Sequence, residues 1–307
     1  MGFFIEVLIG GLLAGVLYSL VALGFVLIFK ASGVFNFAQG AMVLAAALAL
    51  VRSLEVFVKW GWPFWAGLVA AFVFAAAVMA LVAWVTERLV LRKLVNQEGI
   101  ILFMATIGVT FFIEGLAQTV FGADVYPLNI GLPKESIFIL ESVFDGGILV
   151  NELDIWAAVI AGLLVAVLAI FFQKTRIGRA LRAVADSHKA ALSVGISLEY
   201  IWVVVWFAAG IVALATGIMW GARSNVSFAL QIIALKALPV LILGGFTSIP
   251  GAIVGGIIIG VGEKIGEFYW GPLLGSGIES WLAYFIALVF LLFRPQGLFG
   301  DKIIERI

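Results

Sequence analysis

The sequence contains no cysteine and a single histidine, His188. The first absence excludes disulfides, thiolate metal sites and cysteine nucleophiles. The second leaves no imidazole cluster to hold a metal and no second base for a nucleophilic triad. No Gly-x4-Gly-Lys-Ser/Thr pattern occurs, so the chain has no P-loop with which to bind ATP. Charge is scarce: 12% of residues are charged, about half the share usual in soluble domains. Basic and acidic residues number 18 each, so the net charge is zero and nothing draws the whole chain toward nucleic acid. Neither a metal nor a cofactor is expected.

Apolar residues fill the space that charge leaves. They make up 64% of the chain, and the mean hydropathy is +1.22. No soluble core could hide that much apolar surface, so lipid must be the solvent. Apolar runs fall at about 8–29, 37–51, 63–86, 100–121, 155–173, 201–222, 229–245, 251–266 and 279–293. This pattern predicts an all-α, polytopic bundle of eight or nine transmembrane helices forming one domain over residues 1–307. Runs 37–51, 229–245 and 251–266 are short for a span and rich in glycine or alanine, which predicts tilted, broken or re-entrant segments. Met1 to Glu6 carry an acid where a secretory signal carries basic charge, so the first run is expected to remain as a span.

Orientation follows from the basic residues between runs. Arg88, Arg92 and Lys93 fall in 87–99; Lys174, Arg176, Arg179, Arg182 and Lys189 in 174–200; Arg294, Lys302 and Arg306 in the tail. Segment 122–154 holds only Lys134 against Asp124, Glu135, Glu141, Asp145, Glu152 and Asp154. The three basic segments are therefore expected in the cytoplasm, with 122–154 and the N-terminus outside. Pro127, Pro133 and Gly146-Gly147 supply turn signals for an external loop.

Two stretches interrupt helices: Lys30 to Gly40, containing Asn36, Gln39 and Gly40, and Leu243 to Ala252, containing Gly244, Gly245, Ser248 and Gly251. Paired glycine-rich breaks suit a pseudo-repeat and a transport pathway. They suit tight cytoplasmic turns equally, with Asn36 as a helix cap. Glu114 and Gln118 share a helix face four residues apart. Lys236, Glu263 and Lys264 also fall in apolar runs. Charge in lipid marks either a pathway or a structural pair, such as Glu114 with Lys236 or Arg223. Arg223 follows Trp220 at an expected outer boundary, as an anchor or a contact for an arriving anion.

Segment 174–200 reads as a basic, water-facing helix between two apolar runs. Arg182 and Asp186 are spaced for an i,i+4 pair. Leu181, Val184, Ala185, Ala191 and Leu192 form a narrow apolar stripe without aromatics. Such a stripe suits docking into a protein groove better than insertion into lipid.

At this point the residues resemble a known family, the permease subunits of branched-chain amino acid ABC importers, across nearly the full length. The resemblance rests on Tyr18-Ser-Leu-Val-Ala-Leu-Gly24, on Asn36-Phe-Ala-Gln-Gly40, and on Arg176-Ile-Gly-Arg-Ala-Leu-Arg-Ala183 with Asp186, Ala190 and Gly195-Ile196. It rests further on Leu243-Gly-Gly-Phe-Thr-Ser-Ile-Pro-Gly-Ala252 with Gly255-Gly256, and on Arg294-Pro-Gln-Gly-Leu-Phe-Gly300. It implies a channel subunit of the bacterial inner membrane. Implied partners are a second homologous permease in a heterodimer, two cytoplasmic ATP-binding subunits and a periplasmic substrate-binding protein. Arg179, Arg182, Ala183, Asp186, Ala190 and Gly195 would belong to the helix that couples to the ATPase. Family members also carry urea, short amides and aromatic acids, and Gln39 in the Asn-Phe-Ala-x-Gly motif does not choose among them. Two other classes are weaker. A membrane enzyme would need converging nucleophiles or acid–base pairs. An ion-coupled carrier or channel would carry more midplane acids or a carbonyl filter.

Overall fold

The computed structural model describes residues 2–94, 97–141, 147–275 and 277–300. Asp145, Gly146, Lys302 and Arg306, which figure in the topology reading, lie outside these, as does the side chain of Lys189. The helices are α1 (Gly2–Ser32), α2 (Gln39–Lys59), α3 (Phe64–Leu89), α4 (Gly99–Phe121), α5 (Glu152–Lys174), α6 (Arg176–Asp186) and α7 (His188–Ser193). They continue with α8 (Leu198–Ser224), α9 (Ile233–Lys236), α10 (Leu238–Gly244), α11 (Ile249–Leu274) and α12 (Glu279–Phe293).

Seven of the described helical segments are long and apolar enough to cross a membrane, and 228–244 and 279–293 are shorter apolar segments. The expected polytopic helix bundle is therefore present. Two of the runs read as short are full spans. The helix begun by run 37–51 continues through Arg52, Glu55 and Lys59 to 21 residues, and α11 carries Glu263, Lys264 and Glu267 within its 26 residues. An apolar run ends at its first charge, but a helix does not: its backbone bonds are internal whatever the side chain. The third run, 229–245, is broken as expected, into a 3₁₀ turn at Phe228–Ile232 followed by α9 and α10.

The chain divides into two compact units. One holds residues up to Val26, Gly131–Ala166 and residues from Lys236 onward; the other holds Leu27–Ile130 and Val167–Leu235. In the second unit α2 is central. Gln39 through Val51 are all buried, and α2 packs against α3, α4 and α8. In the first unit α10, α11 and α12 pack on one another. The loop between α4 and α5 carries a small antiparallel hairpin, Ser136–Ile139 with Ile148–Asn151. It is a β element outside the helical bundle, and alternation of buried and exposed residues along it marks one covered face.

Small residues set the closest approach in the first unit. A Cβ on Gly11 would lie 2.7 Å from the Cα of Val261, and one on Gly15 2.8 Å from the carbonyl oxygen of Gly256. Gly260 faces Gly15, and Gly256 faces Ser19. Gly11, Gly15 and Ser19 recur every four residues on α1, as do Gly256 and Gly260 on α11. That spacing lets two backbones touch in lipid, where dispersion rather than water exclusion drives helix association. Gly260→Ala should therefore lower the stability of the detergent-solubilised chain by about 1–3 kcal/mol. Gly10→Ala, whose Cβ would meet nothing within 4 Å, should leave the thermal midpoint unchanged or slightly raised.

Candidate functional site

The basic segment, read as one helix, folds into two short ones, because Ser187 is extended and opens a second helix. Thr175 caps α6 by accepting from the Gly178 N–H at 3.2 Å, and Ser187 caps α7 by accepting from the Ala190 N–H at 3.3 Å. Gly195, at φ +80°, turns the chain toward α8, and Ser197 caps α8 through the Tyr200 N–H at 3.3 Å. The left-handed conformation at Gly195 is one that a side chain disfavours.

Two details differ from the sequence reading. Arg182 does not pair with Asp186. Its guanidinium donates to the carbonyl oxygens of Phe172 at 3.0 Å and Gln173 at 3.4 Å. The last carbonyls of α5 lack helical partners and carry its negative dipole end, so they attract a cation that is within reach. Nor does the apolar stripe all face outward. Leu181, Val184 and Ala191 are buried against the chain itself, while Ala185 and Leu192 are exposed. Gly178 lies against the last turn of α5 so closely that a Cβ would overlap the carbonyl of Phe172. The exposed residues of the segment include Arg179, Ala185, Asp186, Ala190, Leu192 and Val194, the last 73% exposed. Ala183 is half-buried.

The first glycine break is a buried polar knot in the second unit. Asn36 and Gln39 are fully buried. The Asn36 Oδ1 accepts from the Ala38 N–H at 3.1 Å, and its Nδ2 donates to the Gln39 Oε1 at 3.4 Å. The Gln39 Nε2 donates to the Ala209 carbonyl on α8 at 3.3 Å. Thr106 on α4 accepts from the Phe37 N–H at 3.2 Å and donates to the carbonyls of Phe35 at 3.3 Å and Phe103 at 2.8 Å. The Trp202 indole donates to the Ala31 carbonyl at 3.1 Å. Backbone groups freed by the break thus find partners on α4 and α8, as an apolar medium demands. Asn36 works one step before a cap: its side chain closes a turn onto Ala38, the residue before α2. Gly40 is needed because the Gln231 carbonyl occupies the space of a Cβ.

The second break is a backbone contact in the first unit. Gly244 and Gly251 are buried, and a Cβ on either would overlap the carbonyl of the other. The Ser248 hydroxyl accepts from the Gly251 N–H at 3.0 Å, starting α11. Gly245, at φ +99°, lies against Gly297 and Gly300. The Leu298 and Phe299 N–H groups donate to the carbonyls of Leu243 at 2.8 Å and Gly244 at 3.2 Å. Two motifs far apart in sequence, 243–252 and 294–300, are therefore one strap. A large residue at 245 or 251 would fail on packing alone, so loss of flux there does not identify a pathway wall.

The intramembrane charges fall differently from the example pairs. Lys236 meets Glu279, not Glu114. Glu114 is half-buried on α4 and meets no ion-pair partner among the described residues. Arg223 lies 5.7 Å from the centre of the Trp220 ring, an aromatic anchor at the end of α8. In the first unit Lys236 and Lys264 both approach Glu279, at 3.7 and 3.6 Å. The Tyr18 hydroxyl donates to the Glu263 carboxylate at 2.8 Å, with both residues buried. Sequence reasoning singled out Lys236, Glu263 and Lys264 separately. It named Tyr18 only as part of a resemblance motif and passed over Glu279; an acid opening the last span was the available signal.

With this geometry in place, comparison with known proteins adds the family. The profile of the branched-chain amino acid transport system permease component matches residues 7–294. The chain belongs to this permease family. Among similar proteins, the high-affinity branched-chain amino acid transport system permease LivH of Salmonella typhimurium is 25% identical, with 99% of this chain and 98% of that one aligned. BraD of Pseudomonas aeruginosa, of the same description, is 26% identical over 99% and 98%. A probable branched-chain amino acid permease of Methanocaldococcus jannaschii is 25% identical over 96% and 92%.

The match to the permease family spans both breaks, the basic segment and the charged group of the first unit. Each resemblance motif has a physical reason in the fold: the Tyr18-Ser19 motif meets Glu263 and Gly256, and the Asn36–Gly40 motif knots α2 to α8. Asn36→Ala removes an acceptor from one buried N–H and a donor from one buried amide. It should cost about 1–3 kcal/mol, more than an ordinary exposed cap. Thermal unfolding of the purified permease in detergent measures this, and Asn36→Asp, which keeps the acceptor for Ala38, should recover only part.

Proposed function

We propose that this chain is the membrane channel subunit of a binding-protein-dependent ABC importer that moves branched-chain amino acids inward. Its alternatives within one architecture are urea, short amides and aromatic acids. The observation that carries the reading is the permease-family match over residues 7–294, to which the exposed helical segment α6–α7 adds a surface for a motor. Lacking a P-loop, such a subunit relies on separate ATP-binding subunits. A periplasmic binding protein delivers substrate, and a second homologous permease completes a heterodimeric channel. The family and the named relatives support these partners.

In this reading residues 1–307 form one permease domain of a bacterial inner membrane. The N-terminus and loop 122–154 lie outside, and 174–200 and the C-terminus lie in the cytoplasm. The motor pushes on the exposed face of α6–α7. Gly178, Leu181 and Val184 transmit the push because they are packed, without slack, onto the chain's own helices. The breaks at Asn36–Gly40 and Gly244–Gly251 are where helices can change direction near the pathway.

Flux of labelled L-leucine, urea and short amides into proteoliposomes containing the full complex tests the substrate. Saturable L-leucine uptake that requires ATP and the binding protein is expected; uptake of urea or amides alone would replace the first reading with its alternative. Ala190→Trp, on the exposed docking face, should cost about 1–3 kcal/mol of ATPase association. Membrane insertion should persist while transport falls; normal co-purification of the ATPase with full transport would refute the docking role. Topology is read with a membrane-impermeant thiol reagent on spheroplasts. Cysteine placed at Asp124 should react and cysteine placed at Ser193 should not. Both sites are exposed, and the cysteine-free chain gives no background.

A further inference from the structure

A second group of charged side chains lies in the first unit. Glu263 stands about 21 Å from the start of α11 and about 17 Å from its end, at 1.5 Å per residue, which places it within the hydrocarbon depth. It is 2% exposed and held by the Tyr18 hydroxyl. Lys236 arrives from α9 and Lys264 from α11, and they bracket the Glu279 carboxylate, one on each oxygen, at 3.7 and 3.6 Å. Charge-assisted contacts that are fully formed measure about 2.7–2.9 Å, so this bracket is held loosely. The side chains of Lys236, Lys264 and Glu279 remain 31, 30 and 36% exposed. Charged groups that uncovered avoid acyl chains; Glu279 opens α12, so the group has water on its open side, at the membrane boundary or along a route through it.

We propose that Lys236, Lys264 and Glu279 form a transient station for the zwitterionic head group of an α-amino acid on its way through the membrane. The proposal rests on the reading of the chain as an amino-acid importer. Each ammonium has three donors, and its contact with Glu279, at 3.7 and 3.6 Å, is an ion pair beyond hydrogen-bond distance. The spare donors can take the α-carboxylate of a substrate, and Glu279 can accept from its α-ammonium. Glu267 on α11 joins the group, its carboxylate accepting from the Glu279 N–H at 3.0 Å, so two lysines stand with three carboxylates, those of Glu263, Glu267 and Glu279. Glu279 is itself a carboxylate in the seat that a substrate carboxylate would take. Substrate must therefore compete with an internal group, which keeps the station weak. A channel fed by a separate binding protein gains from weak, quickly released contacts.

The test uses the assembled complex in proteoliposomes with L-leucine-loaded binding protein. Lys236→Gln, Lys264→Gln and Glu279→Gln should each lower leucine flux about tenfold, as for one lost charge-assisted contact, while ATP hydrolysis stimulated by the loaded binding protein persists. Lys236→Cys and Lys264→Cys supply the second measurement, since the chain has no other thiol. Aminoethyl methanethiosulfonate restores a positive charge at each cysteine and should restore flux after assembly is complete. The sulfonatoethyl reagent should label equally well and not restore it. A merely structural charge would act before assembly and would not respond to later modification. Wild-type flux in all three glutamine variants, cysteines that neither reagent reaches, or equal rescue by both reagents would each overturn the station. Failure of the wild-type complex to carry leucine defeats the functional reading instead, and reagent access at the two cysteines still decides whether these groups face water.

Discussion

Backbone touching backbone, at positions where no side chain intervenes, is the contact on which the structure depends. In lipid the apolar side chains gain nothing by leaving the solvent, because the solvent is equally apolar. Helices are held by close dispersion contacts and by polar groups that cannot find water. Gly11, Gly15, Gly256 and Gly260 bring α1 and α11 within backbone contact. Gly244 and Gly251 do the same where α10 turns into α11, and Gly217 lets α8 meet the carbonyl of Val43 on α2. Each glycine costs conformational entropy, and each is placed where a methyl group would collide.

The same medium explains the polar knots. A helix break in water leaves its N–H and C=O groups to the solvent; a break at membrane depth must satisfy them from protein. The break before α2 does so with Asn36, Gln39, Thr106 and Trp202 drawn from several helices. The break before α11 does so with the Leu298–Phe299 strap. These segments leave the helical pattern and are tied by hydrogen bonds from neighbouring elements. The segment α6–α7 is the complement. Its inner face is packed through Gly178, Leu181 and Val184 and its outer face is left open.

Much of this was legible in the sequence, for reasons that can be named. Spans are legible because lipid demands long apolar runs. The basic segment is legible because charge between two such runs has only the aqueous side to occupy. The glycine breaks are legible because glycine clusters interrupt helices. Less legible were the extents of α2 and α11, since charge ends an apolar run without ending a helix. The partners of Arg182 and Lys236 were not legible either. Spacing pointed Arg182 to Asp186, and Glu114 stood as one example of a partner for Lys236; Arg182 meets the carbonyls of Phe172 and Gln173, and Lys236 the carboxylate of Glu279.

By itself, the sequence determined that this chain lives in a membrane as a helix bundle, that it holds no P-loop, and that one basic, sparsely apolar segment interrupts its apolar runs. Those properties depend on composition and on one-dimensional order: run length, charge placement and the absence of residue types. Tertiary structure alone decided which glycines are seams and which are turns, which half of the docking stripe is spent on the chain itself, and that two lysines converge on one glutamate. Such facts depend on which residues distant in sequence become neighbours. Lys236, Lys264 and Glu279 are separated by several turns or a whole helix along the chain, and only the packing of α9, α11 and α12 brings their charges together.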